Sequence, residues 1–512
     1  MSHCFVRPGT WQKLRIARAC RIGAIIHVVR FGTTIALGLA MFAGCASSSS
    51  GNADGSVDTP PPIDAAQCGD LPCEGLYVES SGVDSAPGTM AAPMRTINAA
   101  VLKAAGANPP LAVFVKHGIY TAPVVMKAGV GVYGGFDDTW ARSLTVDTEI
   151  SAPSPAVTFD AIQIHTVLDR VTVRSDDATT PGASTTAIVI TGSKNIELVD
   201  VDVLPGAGAA GADGTDGNTG GGGSVGIGGQ PGCEDSGGFC SGCNRPQGGA
   251  GGTSACGRTG GRGGNAGHGD NGGDNGGNGV GQVNLGAGGG QAAVGQPGGP
   301  GNPGGPGSSG LGGIEVGMFL GTVYSPSNGI DGTAGGHGNG GGGGGGGGGG
   351  NDDCDSYGSS GGGGGAGGCG GGLGTGGSGG GGSFGVVALD SLVLVKGSRV
   401  TAGPGGAGGR GGRGGGGGSG GGSGPGGPYG GGGEQDDGGN GGAGGAGGAG
   451  GVGGHGGGGG GGASAAVVCL GASTITTPQT TLTGGTGGAG GASMGNPGLP
   501  GTSTRAIGCQ FF

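Results

Sequence analysis

The chain has 512 residues, of which 156 are glycine and 27 are proline, so these two make up about 36% of it. That share exceeds the roughly 25–30% above which low-complexity or disordered segments are the usual expectation. Collagen is excluded, because proline is only about 5% of the chain and a triple helix uses roughly 15–20%. A uniform globular domain is excluded too, because 19 glycines precede residue 206 and the other 137 lie in residues 206–512.

The N-terminal segment has the features of an export signal. Residues 1–30 contain six basic residues and no acidic one, and the apolar run FGTTIALGLAMFA follows at 31–43. A basic region, a short apolar region and a boundary of small residues are typical of a secretory signal. The apolar run is also shorter than the roughly 20 residues of a membrane-spanning helix. We therefore predict a signal peptide over residues 1–44.

The end of this segment, Phe42-Ala43-Gly44-Cys45, resembles the lipobox of bacterial lipoproteins, with Phe42 in place of the usual leucine. The resemblance implies that Cys45 is lipidated and becomes the first mature residue; the alternative is that Cys45 ends an ordinary signal. Residues 45–66 are rich in serine and proline and are expected to form a flexible tether. Ala46 is not an aspartate-type retention signal, so similarity to sorted Gram-negative lipoproteins implies a lipid-anchored protein of the outer membrane or cell surface.

The charge balance argues against nucleic acid as a partner. Without residues 1–44 the chain keeps 16 basic and 33 acidic residues, whereas phosphate binding needs clustered lysine and arginine. Arg410 and Arg413 in AGGRGGRGGG resemble an RGG element. We interpret that resemblance as accidental in an exported acidic protein.

Cysteine usage agrees with export. Once Cys4 and Cys20 leave with the signal and Cys45 is lipidated, an even number remains, which favours disulfides in an oxidising compartment. The group Cys233, Cys240, Cys243 and Cys256 also raises a zinc alternative, but its spacing fits no zinc ribbon and no histidine lies within it. The disulfide candidates are Cys68, Cys73, Cys233, Cys240, Cys243, Cys256, Cys354, Cys369, Cys469 and Cys509.

Residues 67–205 have the pattern of a folded β domain. Short runs of β-branched residues alternate with glycine, proline and aspartate turn signals, as expected of many short strands. One helix is predicted over Thr96–Ala105, because Ile97, Ala100, Val101 and Ala104 share one helical face. A helix followed by evenly spaced strands predicts an all-β fold, a right-handed parallel β-helix whose first rung is capped. The predicted strands include Ala112–Val115, Val124–Met126, Val130–Tyr133, Ala156–Phe159 and Ile162–Ile164.

The same region resembles the start of pectin-lyase-like repeat proteins. The sequence YVESSGVDSAPGTMAAPMRTINAAV (77–101) is similar to the strand, glycine-aspartate loop and TIxAA helix of that family. VFVKHGIYTAPVVMKAGVGVYGGF (113–136) is similar to its V-x-x-G-x-Y and G-V-x-x-x-G-G-F rungs. The resemblance covers about residues 75–205 and implies a fold rather than an activity, because the same opening precedes lyases, hydrolases and proteins without known chemistry.

Later strands repeat one format in the glycine-rich region, residues 206–512. Segments 185–208, 383–406 and 464–485 each show an apolar triplet, a polar turn, an alternating strand and then glycine, and 313–332 is a weaker copy. They predict further rungs at about 313–324, 383–402 and 464–483. If these rungs stack, residues near 189, 387 and 468 must be neighbours about 4.8 Å apart.

The glycine tracts between these rungs have a period of three. GAAGADGTDGNTG (208–220), GQPGGPGNPGGPG (295–307) and GGAGGAGGAGG (441–451) fit the three-residue turn of polyproline II, and they resemble PGRS-type tracts. Such chains can pack side by side. Ordering the backbone costs about 1–2 kcal/mol of conformational entropy per residue, and each hydrogen bond contributes a net stabilisation of about 0.5–1.5 kcal/mol. The two terms therefore nearly cancel. Two alternatives follow, an ordered polyglycine II bundle and mobile loops, with mobile loops the default and Gly340–Gly350 the first stretch to melt.

No catalytic or cofactor-binding residue is predicted. Carboxylates and arginines converging on one β-helix face would serve a polysaccharide lyase or hydrolase, but a solvated outer face explains them equally well. HGDNGGDNGGNG (268–279) only faintly resembles calcium-binding repeats, so no metal site is assigned and calcium stays an option. The carboxylate and arginine candidates are Asp147, Asp160, Asp169, Arg170, Arg174, Asp176, Asp177, Asp200 and Asp202.

Two functions fit this sequence. The first is a non-enzymatic surface lipoprotein that displays glycine-rich loops for adhesion or envelope structure. The second is a β-helix protein that binds or cleaves extracellular polysaccharide, although an acidic chain would repel polyanionic glycans unless calcium bridges them. The extended tracts also allow a role in binding ice or another surface. Expected partners are the membrane, through the lipid, and polysaccharide or envelope components.

Overall fold

The computed structural model describes residues 67–68, 71–234, 243–351, 354–429 and 437–510. They belong to a single compact unit, Ala65–Phe512. The predicted signal peptide, Cys45 and the whole predicted tether lie outside the described residues.

The predicted helix is confirmed as α1, Ile97–Ala105. It begins where the Thr96 hydroxyl accepts a hydrogen bond from the backbone N–H of Ala99, which satisfies one of the unpaired donors of the first turn. Ile97, Ala100, Val101 and Ala104 are buried, as their spacing predicted. This face packs on the first strands and covers the open edge of the domain.

Nearly all other regular structure is β-strand, and three large sheets hold most of it. The first sheet contains β3 (Gly75–Val78), β4 (Ala112–Lys116), β7 (Val132–Phe136), β10 (Thr166–Asp169), β13 (Ile196–Val199), β20 (Leu392–Lys396) and β23 (Thr474–Thr476). The second contains β5 (Gly118–Tyr120), β8 (Thr148–Ala152), β11 (Thr172–Ser175), β14 (Asp202–Leu204), β21 (Arg399–Thr401) and β24 (Thr481–Thr483). The third contains β6 (Val124–Val125), β9 (Val157–Asp160), β12 (Thr185–Thr191), β19 (Ser383–Leu389), β22 (Ser464–Leu470) and β25 (Ser503–Ile507).

Every pairing in these sheets is parallel, and from β4 onward the chain visits them in a fixed cyclic order. We call these three sheets the coil. Residues in register form buried columns, such as Ile150, Val173, Val203 and Val400 in the second sheet. The structure is therefore mostly parallel β-sheet around one apolar core.

The remaining strands form three small antiparallel pairs. They are β1 (Gln67–Cys68) with β2 (Leu71–Pro72), β15 (Cys233–Glu234) with β18 (Ser356–Tyr357), and β16 (Met318–Leu320) with β17 (Val323–Ser325).

The stacking of the internal repeats is confirmed. Val189 of β12 pairs with Val387 of β19, and Val387 pairs with Val468 of β22. Residues separated by almost 200 positions are therefore adjacent rungs, and the intervening glycine tracts leave the coil and return to it.

Two sequence predictions about strands were wrong. The weak repeat at 313–324 is not a rung, because β16 and β17 pair with each other as a hairpin. Gly321, at φ 59°, supplies the left-handed residue that this tight turn needs. Ile162–Ile164 is a corner rather than a strand: Ile162 reaches the core while its N–H donates to the Ser193 hydroxyl.

The glycine tracts are ordered, so the default expectation of mobile loops was wrong and its alternative holds. Their backbones hydrogen-bond laterally, at every third residue in outer tracts such as 208–220 and at every residue in inner tracts, and we call this assembly the bundle. Every N–H from Gly340 to Gly350, the stretch expected to melt first, donates a hydrogen bond, and all eleven residues are buried.

Residues 359–382 form the central tract of the bundle. Three successive N–H groups, of Gly361, Gly362 and Gly363, donate to three different neighbouring tracts, because a three-residue turn points them 120° apart. The central tract is surrounded by residues 208–232, 248–252, 258–267, 329–350, 404–428 and 439–462.

The bundle continues the coil's hydrogen bonding. Tracts that leave β14, β21 and β24 stay paired, as in Gly208 N–H to Pro404 O at 2.9 Å and Gly405 N–H to Thr486 O at 2.9 Å. Tracts that enter β19, β22 and β25 are paired in the same way. Strand spacing in a sheet therefore fixes tract spacing in the bundle, which offsets part of the entropic cost of ordering glycine.

Candidate functional site

A groove of about 240 Å³ lies at the corner between the first and second sheets. It combines carboxylates, hydroxyls and one guanidinium, a polar lining suited to hydrogen bonding with a polar ligand. Its lining residues are Ser143, Leu144, Thr145, Val146, Asp147, Arg170, Val171, Thr172, Asp200 and Asp202.

The corner itself is a stack of left-handed residues. Arg170, Asp200, Gly397 and Gln479 have φ values of 53°, 48°, 62° and 53°. Their backbones form a ladder, in which Arg170 N–H donates to Val199 O at 3.0 Å and equivalent bonds follow on later rungs. This conformation is unusual for a bulky residue such as arginine, and the ladder holds it in place.

Next to the groove lies a largely enclosed ion pair. Arg142 Nη2 is 2.8 Å from Asp169 Oδ1, and their side chains are only 11% and 15% exposed. The Arg142 guanidinium also lies over the rings of Tyr133 and Phe136, 5.7 Å from each centroid. Burial raises the pKa of Asp169, and the adjacent Arg142 opposes that rise. A pair so enclosed positions the loop that forms the groove wall.

The groove carboxylates already have partners. Asp202 accepts two hydrogen bonds from Arg399, at 3.2 and 2.6 Å, and Asp147 accepts one from the Thr172 hydroxyl at 2.7 Å. Asp200 Oδ2 lies 3.7 Å from Arg170 Nε. Paired carboxylates of this kind can still accept hydrogen bonds from ligand hydroxyls.

The structure thus brings together five of the predicted residues, Asp147, Asp169, Arg170, Asp200 and Asp202. The others are used elsewhere. Arg174 pairs with Glu149 at 3.0 Å, Asp160 accepts from the Thr191 hydroxyl, Asp177 accepts from Ala207 N–H, and Asp176 is exposed.

Sequence reasoning missed Arg142 and Arg399. The repeats that begin at residues 185 and 383 are offset by 198 positions. This offset aligns Asp202 with residue 400, next to Arg399, and in the sheet Asp202 pairs with Arg399 itself. The alignment of the repeats was therefore the signal that could have predicted Arg399. Nothing comparable marked Arg142, which reaches Asp169 from an irregular loop.

Eight cysteines of the described region form disulfides. Cys233 bonds to Cys243, Cys256 to Cys369, and Cys469 to Cys509. Cys73 and Cys354 are disulfide-bonded too. Cys233, Cys243 and Cys256 are therefore not available as zinc ligands. Cys240 and the side chain of Cys68 lie outside the described part of the structure.

The motif at 268–279 is part of the bundle. Asp270 accepts hydrogen bonds from the amides of Gln291 and Asn351, and Asp274 accepts one from Asn265 and pairs with Arg245 at 3.0 Å. Within the described ranges no group of three or more histidine, cysteine, aspartate or glutamate side chains is placed to hold a metal.

Arg410 and Arg413 lie on an outer face of the bundle. Their backbone N–H groups donate to the carboxylates of Asp213 and Asp216, each at 2.7 Å. Each arginine thus has an acidic residue on the adjacent tract.

Comparisons with known proteins identify no relative. No protein-family model, curated protein or solved structure matches this chain. In the part of the chain that the structure describes, no helix is long and apolar enough to cross a membrane.

Proposed function

We propose that this protein is a non-enzymatic, lipid-anchored surface protein whose coil is a right-handed parallel β-helix of the pectin-lyase-like type. The cyclic visit to three parallel sheets supports the β-helix, because parallel crossovers are overwhelmingly right-handed. The lipobox-like Cys45 and the disulfides support export to an oxidising compartment, the outer membrane or cell surface.

The observation that carries the proposal is the continuous hydrogen bonding between coil and bundle. It makes the glycine tracts a stiff extension that projects sideways from the β-helix, rather than a set of loose loops. A stiff arm on a lipid anchor suits a structural or adhesive scaffold, because it presents an extended surface without paying ordering entropy on contact.

Amide hydrogen exchange on the mature protein tests the scaffold. We expect protection in 340–350 and 359–382 comparable to that of β12 and β19; exchange at unstructured rates in both tracts would refute it. Metabolic labelling with a fatty acid tests the anchor separately, since Cys45→Ser should abolish label and release the protein from the membrane fraction.

The corner groove favours a second candidate, binding of extracellular polysaccharide. Its hydroxyls, carboxylates and Arg170 offer both donors and acceptors for sugar hydroxyls. A glycan array probed with the parent chain and with Arg170→Ala would decide, because glycan binding in the groove predicts at least a tenfold loss. Absence of binding together with an intact anchor favours the scaffold alone.

A further inference from the structure

A group of large apolar side chains lies exposed near the junction of bundle and coil, and we call it the apolar patch. Its members are each 51–69% exposed: Leu311, Ile314, Met318, Leu320, Val323, Ile330, Met494 and Leu499. At on the order of 100 Å² each they form about 800 Å², whereas the largest apolar patch of a soluble monomer is roughly 300–600 Å². This excess indicates a surface that another molecule covers.

Backbone hydrogen bonds join the segments that carry the patch. Ile330 N–H donates to Leu311 O at 2.8 Å, and Leu499 N–H donates to Gly313 O at 2.9 Å. The segment around residue 313 is thus flanked by one neighbour on each side, and the three contribute to one surface.

The hairpin β16–β17 continues the patch. Its side chains Phe319 and Tyr324 pack on Phe384 of β19, with ring centroids 5.1 Å away in both cases. Strand alternation sends the remaining large side chains to the opposite side, and these are Met318, Leu320 and Val323. The hairpin is therefore anchored to the coil by one face and exposed on the other.

The patch carries one charge of each sign. Within residues 309–330 and 494–505 the charged residues are Glu315 and Arg505, and both are exposed. Neither side chain forms an ion pair or a hydrogen bond with another described residue. Both are therefore available to a partner.

The surroundings of the patch do not change this balance. Asp331, which follows Ile330, is used at the central tract, where its carboxylate accepts the Gly376 N–H at 2.7 Å. The adjacent tract 439–462 contains no aspartate, glutamate, lysine or arginine. The patch is thus neutral overall, although the chain as a whole is acidic.

The two charges of the patch lie close together. Thr502 N–H donates to Glu315 O at 3.3 Å, and Arg505 follows three residues later in β25. Three extended residues span at most about 10 Å. A two-fold axis that passes between the two side chains would bring Glu315 of each copy to Arg505 of the other.

Area and charge select a second copy of this chain as the occupant. About 800 Å² per copy is the area that each partner buries in a standard protein interface. A two-fold dimer places the same patch on itself, so both charges find a partner of opposite sign. A lipid bilayer or a wholly apolar protein surface would leave Glu315 and Arg505 without partners, which is unfavourable.

From these observations we propose that two copies of the protein associate through the apolar patch as a two-fold dimer, with Glu315 of each copy paired to Arg505 of the other. The inference goes beyond the proposed function and does not depend on the lipid anchor. For an adhesive scaffold, it identifies a second copy of the chain as one partner.

Sedimentation velocity tests the dimer on the chain from Ala46 onward without acylation, which contains the whole compact unit. We expect a concentration-dependent dimer, and Met318→Ser/Leu320→Ser/Val323→Ser should raise its dissociation constant by roughly tenfold or more. The control Val225→Ser/Ile227→Ser changes side chains that are 61% and 59% exposed on another tract and should leave the constant unchanged. Thermal unfolding confirms that the variants fold.

Exchanging the two charges tests the axis independently of the apolar side chains. Glu315→Arg and Arg505→Glu should each weaken self-association, because like charges then meet across the axis. An equimolar mixture of the two variants should form a heterodimer about as tightly as the parent forms its homodimer, because the two arginines of one copy then meet the two glutamates of the other. Native mass spectrometry distinguishes the heterodimer from both homodimers by mass.

A parent chain that stays monomeric at every accessible concentration would overturn the proposal, as would equal weakening in the two serine variants. Charge variants that associate no better when mixed than alone would overturn the pairing across the axis. Recovery of a monomeric parent with phosphatidylcholine vesicles would overturn the dimer and assign the patch to lipid. Exchange protection of the bundle and labelling of Cys45 do not depend on these outcomes, so the scaffold can stand where the dimer fails.

Discussion

The interior glycines of the bundle are required by position. A Cβ built on Gly363 would collide with the carbonyl of Ala250, and one built on Gly344 would collide with that of Gly442. Proline marks the opposite situation: Pro297, Pro300 and Pro303 occupy exposed positions, where the missing N–H costs no lateral hydrogen bond. In each triplet, therefore, glycine occupies the position that packs against a neighbouring tract, and proline occupies a position that faces away from it.

Gly363→Ala should destabilise the protein by about 1–3 kcal/mol or more, because the added methyl forces neighbouring backbones apart. Gly305→Ala is the matched control, since a Cβ there meets nothing within 4 Å, and it should be neutral or slightly stabilising. Denaturant unfolding measures both. Equal effects of the two changes would contradict the packing described here.

Two aspartates should respond oppositely to pH. Burial raises the pKa of Asp169, so its contribution to stability is fullest below the unfolded carboxyl pKa and is lost as pH rises through the folded value. Hydrogen bonds from His117 and Lys116 lower the pKa of Asp138, so its contribution is present above the unfolded pKa and is lost as pH falls.

We therefore expect Asp169→Asn to cost more unfolding free energy at about pH 3 than at about pH 7, and Asp138→Asn to show the reverse. Urea titrations at the two pH values give the comparison. Costs that do not change with pH, or that change in the same direction, would show that these ionisations are not coupled to folding as described.

At the scale of elements, the period of three governs the tracts as the period of two governs the strands. Gly211, Gly214 and Gly217 each donate to the equivalent residue of the next tract, Ala407, Arg410 and Arg413. A shift by one residue would turn these donors by 120° and leave them without acceptors. A shift of the tract by three residues again points these N–H groups at their acceptors, one turn further along the chain.

Inserting one glycine after Gly217 should therefore abolish exchange protection in 218–232 and in the facing part of 404–428. Inserting three residues, Gly-Gly-Ala, at the same point should preserve it, because a full added turn restores the direction of every N–H group that follows. Site-resolved hydrogen exchange distinguishes the two. Equal protection after both insertions would mean that lateral pairing is not what orders this tract.

The elements also show what could be predicted from sequence. The helix followed from four apolar residues on one face, and the rung stacking followed from repeated strand formats, because both signals are local and strong. The hairpin β16–β17 was mistaken for a rung since an apolar triplet looks alike in both. The order of the bundle could not be derived, because its energy terms nearly cancel per residue and are settled by pairings such as Gly363 with Ile227, distant in sequence.

At the scale of the whole molecule, disulfides tie the bundle together. Cys256–Cys369 links the turn between two outer tracts to the central tract and closes a loop of 113 residues. Cys233–Cys243 closes only 10. In the chain-entropy view a longer loop gives more stabilisation, so the first bond should matter more.

Replacing Cys256 and Cys369 by serine should cost roughly 4 kcal/mol, and Cys233 with Cys243 clearly less. The loss should appear as faster exchange in 248–267, whereas β12, β19 and β22 stay protected by the coil. Guanidinium unfolding with exchange mapping measures both effects. A larger cost for the 10-residue loop would contradict the entropic account.

The groove shows the limit of prediction at this scale. Four charged residues that line it and the adjacent Asp169 were singled out from the sequence. Their convergence depends on corner geometry and on Arg142 and Arg399, which come from a loop and from a strand 197 residues past Asp202. Such placement emerges only after the rungs are in register.

Because the tracts are rooted in the coil only at the ends that join its strands, the arm can lengthen or shorten in triplets without any change to its foundation. A ruler made of backbone alone therefore sets how far the arm reaches from the coil.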